Sequence, residues 1–167
     1  FGGGNTAMDA ASESARMGAE NVLLAYRRSK EFMGAYEFEY DLAKSAGVKA
    51  LFNAAPIEIL GDDRVTGVKF IKTEVRDGKL RTIEGTEFTE ECDMVIKATG
   101  QSRHFELFQN ISNLEIDDFG RIIVDENFRT TNPKYFAAGD TVNGGKEVVN
   151  SAAEGKAAAK AIISLLG

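Results

Sequence analysis

The chain opens Phe1-Gly2-Gly3-Gly4-Asn5-Thr6-Ala7-Met8-Asp9-Ala10-Ala11, and no other stretch constrains its fold as strongly. Gly2, Gly4 and Ala7 fill the pattern G-x-G-x-x-G/A. In that pattern the first glycine permits a tight turn and the second lets the backbone approach a pyrophosphate, while the third small residue allows a helix to pack closely on a sheet. The N–H groups at the helix start, backed by the positive end of the helix dipole, then bind the diphosphate. A glycine cluster acquires this meaning only between a strand and a helix. The helix is supplied downstream: alanines 7, 10, 11 and 15 recur at helical spacing from Asn5 to about Met17, and Gly18 suits the C-cap. The apolar run from Asn21 to Tyr26 reads as a buried parallel strand, so loop, helix and strand arrive in the order of a βαβ unit. Only Phe1 precedes Gly2. The chain is therefore expected to be a fragment of a longer polypeptide, its sheet completed by a borrowed strand or by association between chains.

At the end of this second strand a dinucleotide fold places the group that meets the adenosine ribose. That group is an acid for a free 2′-hydroxyl, or an arginine where a 2′-phosphate is accommodated. Here the residues are Tyr26-Arg27-Arg28-Ser29-Lys30, with no acid before Glu31. Arginine offers a planar, permanently charged fork suited to phosphate, and Ser29 adds a hydroxyl. The expectation is NADPH rather than NADH.

A formal net charge of -6 argues against general nucleic-acid binding without excluding a local basic pocket. No apolar run approaches the ~20 residues of a membrane helix. Cys92 is the only cysteine, which excludes an internal disulfide, a redox dithiol and a four-cysteine iron–sulfur site within these residues and points to the cytoplasm. His104 is the only histidine; beside Arg103 and Glu106 it reads as a surface residue, and no metal site is expected.

Further along, a helix is expected from about Ala35 to Ala46, with Tyr36, Tyr40 and Ala43 on one face, and a third strand from Val48 to Phe52. The aromatics at 32, 36, 38 and 40 are expected in the core. From about Ile57 to Ile83 β-branched and aromatic residues dominate and Asp77-Gly78 signals a two-residue turn, which predicts an inserted antiparallel meander. A strand over Asp93 to Ala98 is expected to close the first domain, residues 1–100. Residues 101–167 then form a second portion. In it Phe105, Leu107, Phe108, Ile111 and Leu114 seek a core, Ile122 to Val124 form a strand, and a further strand leads to Gly139-Asp140. A long alanine-rich helix runs from Glu147 to Leu166, with Gly155 marking a close contact.

Five segments occur in order: Gly2-Gly3-Gly4-Asn5-Thr6-Ala7-Met8-Asp9, Tyr26-Arg27-Arg28-Ser29, Ala98-Thr99-Gly100-Gln101, Phe136-Ala137-Ala138-Gly139-Asp140 and Glu154-Gly155-Lys156-Ala157-Ala158. Together they resemble the glutamate synthase small subunit family of two-dinucleotide-domain flavoproteins, which includes the NADPH-handling part of dihydropyrimidine dehydrogenase. The resemblance covers essentially the whole chain. It implies an α/β fold: a Rossmann-like NAD(P)-binding domain with an inserted antiparallel β-meander, followed by the C-terminal part of an FAD-binding domain. It also implies hydride transfer between NADPH and FAD, with electrons passed to iron–sulfur centres of an upstream segment or partner subunit. No side chain of this chain is implied as a catalyst. Gly2, Gly3, Gly4, Asn5, Thr6, Ala7, Arg27, Arg28 and Ser29 are implied as NADPH contacts, and Thr99 and Gly100 as the return crossing between the two cofactor domains. Gly139 and Asp140 correspond to the motif whose acid hydrogen-bonds a ribityl hydroxyl, and the amides of Val148 and Val149 to those facing the flavin pyrimidine. Two departures stand out: Met33-Gly34-Ala35 replaces a common Met-Pro-Ala, and the glycine motif of an N-terminal FAD half is absent. A thioredoxin-reductase-like enzyme would share the nucleotide loop but needs a cysteine pair. A catalytically silent nucleotide-binding module is the other alternative.

Overall fold

The computed structural model describes residues 1–101 and 105–167; the expectations for Arg103 and His104 lie outside the described residues. The chain divides into two compact units, Phe1–Gln101 and Ser102–Gly167.

The first unit is built on a narrow parallel pair, β1 (Leu23–Tyr26) and β2 (Lys49–Phe52), in register from Leu23 opposite Lys49 to Tyr26 opposite Phe52. Side chains of a strand alternate between faces, and here the alternation separates two cores. Leu24, Ala50 and Phe52 face helices α1 (Asn5–Arg16) and α2 (Glu37–Ser45), where Ala7, Met8, Ala11, Tyr40 and Ala43 are buried. Ala25 and Leu51 face the opposite way, toward Ala54, Val68 and Phe70 of an antiparallel sheet. The alanines of α1 let it lie close to the strands; the helix ends at Arg16 with Met17 as its C-cap, and Gly18 follows at positive φ, 103°, one residue beyond the expected cap.

The antiparallel sheet is organised on β4 (Gly67–Arg76), which pairs with β3 (Ala54–Leu60) along one edge. Along its length it also meets β6 (Phe88–Glu91) and β5 (Lys79–Thr82), opposite Gly67–Phe70 and Thr73–Arg76 respectively. Asp77 and Gly78 both have positive φ, 54° and 72°, the geometry of the tight hairpin turn that Asp-Gly favours. The meander therefore extends beyond Ile83: Phe88 returns to stack on Phe70 at 5.6 Å, while Phe1 meets Phe70 edge-on at 5.7 Å.

Several expectations are corrected. Residues 93–98 form no strand ladder: among the described residues their backbone hydrogen bonds to Phe1, whose amino nitrogen donates to the Ile96 carbonyl (2.6 Å) and whose carbonyl accepts from Ala98 N–H (2.8 Å). Of the four aromatics expected in the core only Tyr40 is buried. Tyr36 lies before the first turn of α2 rather than on its face, and stacks on Phe38 at 5.5 Å at the surface.

In the second unit, α3 (Phe105–Gln109) buries no residue and Leu107 is exposed; Phe105, Phe108, Ile111 and Leu114 reach only half-burial. The strands expected at 122–124 and before Gly139 reduce to isolated bridges, Ile116 to Ile122, Val124 to Thr130 and Arg129 to Phe136. Turns replace them because Asp117 and Asp125 each accept two backbone N–H bonds, from Phe119 and Arg121 and from Asn127 and Arg129, and such local bonding competes with a ladder. A short helix, α4 (Asp140–Asn143), precedes the long helix α5 (Val148–Leu166). Gly155 makes no close contact, since a Cβ there would meet nothing within 4 Å. Among the described residues no helix is long and apolar enough to cross a membrane.

Candidate dinucleotide site

The glycine loop joins Phe1 to α1, and each glycine meets a different surrounding. Gly2 donates its N–H to the Ala25 carbonyl (3.1 Å). At φ +150° a Cβ on Gly2 would run into the Ala98 carbonyl and lie 2.9 Å from the Ala7 Cβ. Glycine and a small residue are thus required where loop, helix and crossing segment converge. A Cβ on Gly3 would strike the Tyr26 ring, whereas one on Gly4 would meet nothing within 4 Å. The space in front of Gly4 is open, and Gly4 directly precedes α1. Ala7 and Met8 donate to the Gly4 carbonyl; among the described residues the N–H groups of Gly4, Asn5 and Thr6 have no acceptor. A free helix N-terminus behind an uncovered glycine suits a diphosphate.

The loop is held from the side by the segment preceding α2. The Gly3 carbonyl accepts from Gly34 and Ala35 (2.9 and 3.0 Å), Asn5 Oδ1 accepts from Tyr36 N–H (2.9 Å), and the Tyr26 hydroxyl donates to the Phe32 carbonyl (2.6 Å). The Asn5 side-chain oxygen is therefore committed to the protein, leaving its backbone N–H for a ligand. Gly34, where proline is common in the resembling family, donates one of these bonds; proline lacks that hydrogen.

Arg27, Arg28 and Ser29 follow directly on β1. Arg27 is exposed and Arg28 half-buried, and among the described residues neither guanidinium has a carboxylate partner. The Ser29 hydroxyl, followed by Glu31's own backbone N–H, holds the Glu31 carboxyl below the usual carboxylate range. A cleft of about 330 Å³ lies alongside, lined by Lys30, Glu31, Met33, Ala35, Glu37 and Tyr40. Thr99 and Gly100, both exposed, come immediately after Ala98, whose carbonyl abuts Gly2.

In the second unit Gly139 occupies a left-handed backbone, φ 72°, with the Ser151 Oγ 3.3 Å from where a Cβ would stand. Its N–H donates to Glu154 Oε2 at 2.7 Å, and Asn143 Nδ2 donates to the same carboxylate at 3.1 Å. Asp140 Oδ1 accepts from the Ser151 hydroxyl at 3.2 Å, and the Asp140 side chain is otherwise exposed. This bond ties Asp140 to the first turn of α5. There Val148 and Val149 are 84% and 73% exposed, and their N–H groups have no acceptor among the described residues. Glu154 is the residue that motif reading passed over: it was legible only as part of Glu154-Gly155-Lys156, and its partners lie 11 and 15 positions away.

Cys92 packs beside the Ala25–Phe70 core. Burial pushes its thiol up from the ordinary value, with the Asp93 charge adding to the effect.

A glycine loop with open space before Gly4 leads into α1, and two arginines without a carboxylate partner among the described residues follow at the strand end; this arrangement suits a dinucleotide. The model of the pyridine nucleotide-disulphide oxidoreductase family matches residues 1–155, and the chain belongs to that family. It is 40% identical over 178 residues to the glutamate synthase [NADPH] small chain of Escherichia coli (strain K12), covering 99% of this chain and 38% of that one. It is 34% identical to the NADP(+)-dependent formate dehydrogenase subunit beta of Moorella thermoacetica, covering 96% of this chain and 24% of the relative. Among solved structures, T. acidophilum thioredoxin reductase superposes with a TM-score of 0.80 at 28% identity, covering 98% of this chain and 50% of that one. The chain thus spans well under two thirds of the length of these relatives. The matches place the chain among the pyridine nucleotide-disulphide oxidoreductases and bear out the α/β, Rossmann-like reading of the fold.

Proposed function

We propose that residues 1–100 bind NADPH and residues 101–167 form the C-terminal portion of an FAD site, within an enzyme that passes electrons onward to iron–sulfur centres of an adjoining segment or partner subunit. The observation that carries this reading is the helix N-terminus behind Gly4, whose first N–H groups have no acceptor among the described residues, combined with the two guanidinium groups after β1, which have no carboxylate partner among them. Gly2, Gly3 and Ala7 shape the loop, and the N–H groups of Gly4, Asn5 and Thr6 receive the diphosphate. Arg27 and Arg28 take the 2′-phosphate as charge-assisted donors, with Ser29 beside them. Thr99 and Gly100 border the loop at the crossing. Asp140, with Gly139 setting its backbone, accepts a ribityl hydroxyl through the carboxylate oxygen that Ser151 leaves free. The amides of Val148 and Val149, at the positive end of the α5 dipole, favour negative charge on the reduced flavin ring.

When bound, the two cofactors supply the chemistry, hydride transfer from nicotinamide C4 to flavin N5. The protein contributes orientation and exclusion of water, in keeping with the resemblance, which implies no catalytic side chain. With Cys92 as its only cysteine, this chain offers no dithiol of its own for thioredoxin reduction. The enzyme is proposed to work in the cytoplasm, beside a partner subunit or as a homo-oligomer. Anaerobic mixing of the FAD-loaded protein with NADPH tests the reading. Bleaching of the visible flavin band, faster with NADPH than with NADH, is expected; a flavin-loaded protein that NADPH leaves oxidised overturns it.

A further inference from the structure

The inserted antiparallel sheet reaches the arginine pair through its backbone. Thr73 lies in β4, 4% exposed, and its hydroxyl donates to the Arg27 carbonyl at 2.8 Å. Its backbone N–H donates to the Asn53 carbonyl at 2.8 Å, and Asn53 N–H donates to the Arg28 carbonyl at 3.2 Å. Asn53 itself sits in left-handed backbone, φ 54°, between β2 and β3. Both arginine carbonyls are thus secured by one short relay that begins in the sheet insertion, while among the described residues neither guanidinium has a hydrogen-bond or ion-pair partner. The relay fixes where the two side chains start and leaves their charged ends to a ligand.

We infer that Thr73 is a positioning residue for recognition of a nucleotide 2′-phosphate: its hydroxyl, 46 positions from Arg27 in sequence, sets the backbone from which the arginines reach. This rests on the proposed reading of Arg27 and Arg28 as the phosphate clamp. Thr73 touches no ligand and acts only through Arg27. Removing the hydroxyl leaves a carbonyl without its donor in a part-buried setting, so the peptide turns to find another and the clamp loses its aim. A general packing role for Thr73 would weaken all nucleotides alike, whereas positioning of the clamp affects only the nucleotide that carries the 2′-phosphate.

The test is titration of the purified chain with NADPH and with NADH, in the wild type and in Thr73→Val, Thr73→Ser and Thr82→Val, with thermal melting of each. Thr82 is the exposed residue opposite Thr73 in the β4–β5 ladder and controls for the substitution itself. Thr73→Val is expected to lower NADPH affinity about tenfold, a 1.4 kcal/mol effect, with NADH affinity changed less than about twofold. Thr73→Ser is expected to restore the preference, and Thr82→Val to leave both affinities alone. A folded Thr73→Val protein that keeps the wild-type NADPH-to-NADH ratio, or that loses both nucleotides equally, overturns the inference and leaves the clamp intact. If Thr73→Val does not fold, Thr73→Cys, which substitutes a weaker donor, decides the matter: an unchanged ratio overturns, a reduced one supports. Equal wild-type affinity for the two nucleotides overturns the clamp itself, and the inference with it.

Discussion

Substituting Gly4 with alanine separates binding from folding. The residue lies at φ -104° and ψ 176°, a region open to alanine, and the new methyl meets no protein atom within 4 Å. Replacing glycine by alanine at a helix N-cap costs several tenths of a kcal/mol, and the reduced freedom of the unfolded chain returns about 0.4–1 kcal/mol. Net stability should change by less than about 1 kcal/mol, a melting shift under ~2–4 °C for a chain of this length. Binding behaves differently. A charge-assisted N–H···O contact to phosphate closes to about 2.7–2.9 Å, and a carbon in its path holds the oxygen at about 3.3–3.6 Å. Losing one such bond costs about 1.5–3 kcal/mol, roughly ten- to a hundredfold in affinity. Calorimetric titration of NADPH into the Gly4→Ala protein, beside its melting curve, measures both quantities. A variant that melts like the wild type and binds NADPH equally well would refute the placing of the diphosphate before Gly4. Gly2→Ala gives the opposite signature: positive φ and collision with the Ala98 carbonyl and Ala7 add strain and overpacking of about 2–6 kcal/mol, so the melting temperature falls whether or not nucleotide is present.

Arg27→Ala and Arg28→Ala should each weaken NADPH by about 1.5–3 kcal/mol and barely alter NADH, as paired titrations will show; equal losses for both nucleotides would contradict the clamp. Glu154→Gln leaves one of the two donors, Gly139 N–H or Asn143 Nδ2, facing an amide nitrogen, and should destabilise the 139–154 region by about 1–3 kcal/mol in hydrogen exchange. An unchanged protection pattern would mean the carboxylate is dispensable. The Asp117 carboxyl is held below its ordinary value chiefly by the Arg121 backbone N–H, then by the Arg121 and Phe119 donors. A depressed folded value means its contribution is complete above the unfolded value, about 3.9, and is lost as pH falls through the folded one. Melting curves of the wild type should therefore drop more steeply below pH ~4 than those of Asp117→Asn, and parallel acid limbs would contradict the assignment.

The helices and strands around the glycine loop were legible because local signals agree there. Alanine spacing, Gly18, the apolar Leu23–Tyr26 run and Gly47 all punctuate a βαβ pattern, and Asp77-Gly78 has the turn geometry that its sequence favours. What escaped the sequence is non-local. Whether Val95 and Ile96 form a strand depends on a neighbour's backbone, and among the described residues Ile96 and Ala98 bond only to Phe1, too short a partner for a ladder. The aromatics at 32, 36 and 38 carry a core composition, yet they fall before and at the first turn of α2, away from the face that Tyr40 and Ala43 bury. At 116–136 apolar residues alternate with Asp117 and Asp125, whose carboxylates capture backbone N–H groups and make turns. In the site, motif residues were readable, but the residues that hold them were not. Thr73 and Glu154 act through carbonyls and amides distant in sequence, and no spacing rule connects Thr73 to Arg27.

The central claim is that the helix start behind Gly4 and the arginines after β1 are the two ends of one NADPH site. Backbone and arginine side-chain N–H resonances followed during NADPH titration test it most directly. The account predicts that the amides of Gly4, Asn5 and Thr6 and the Nε–H groups of Arg27 and Arg28 shift together along one saturation curve. With NADH the loop amides should still shift while the arginine signals hold still. Saturation that leaves Gly4–Thr6 unmoved, or arginine signals that respond identically to both nucleotides, would contradict it.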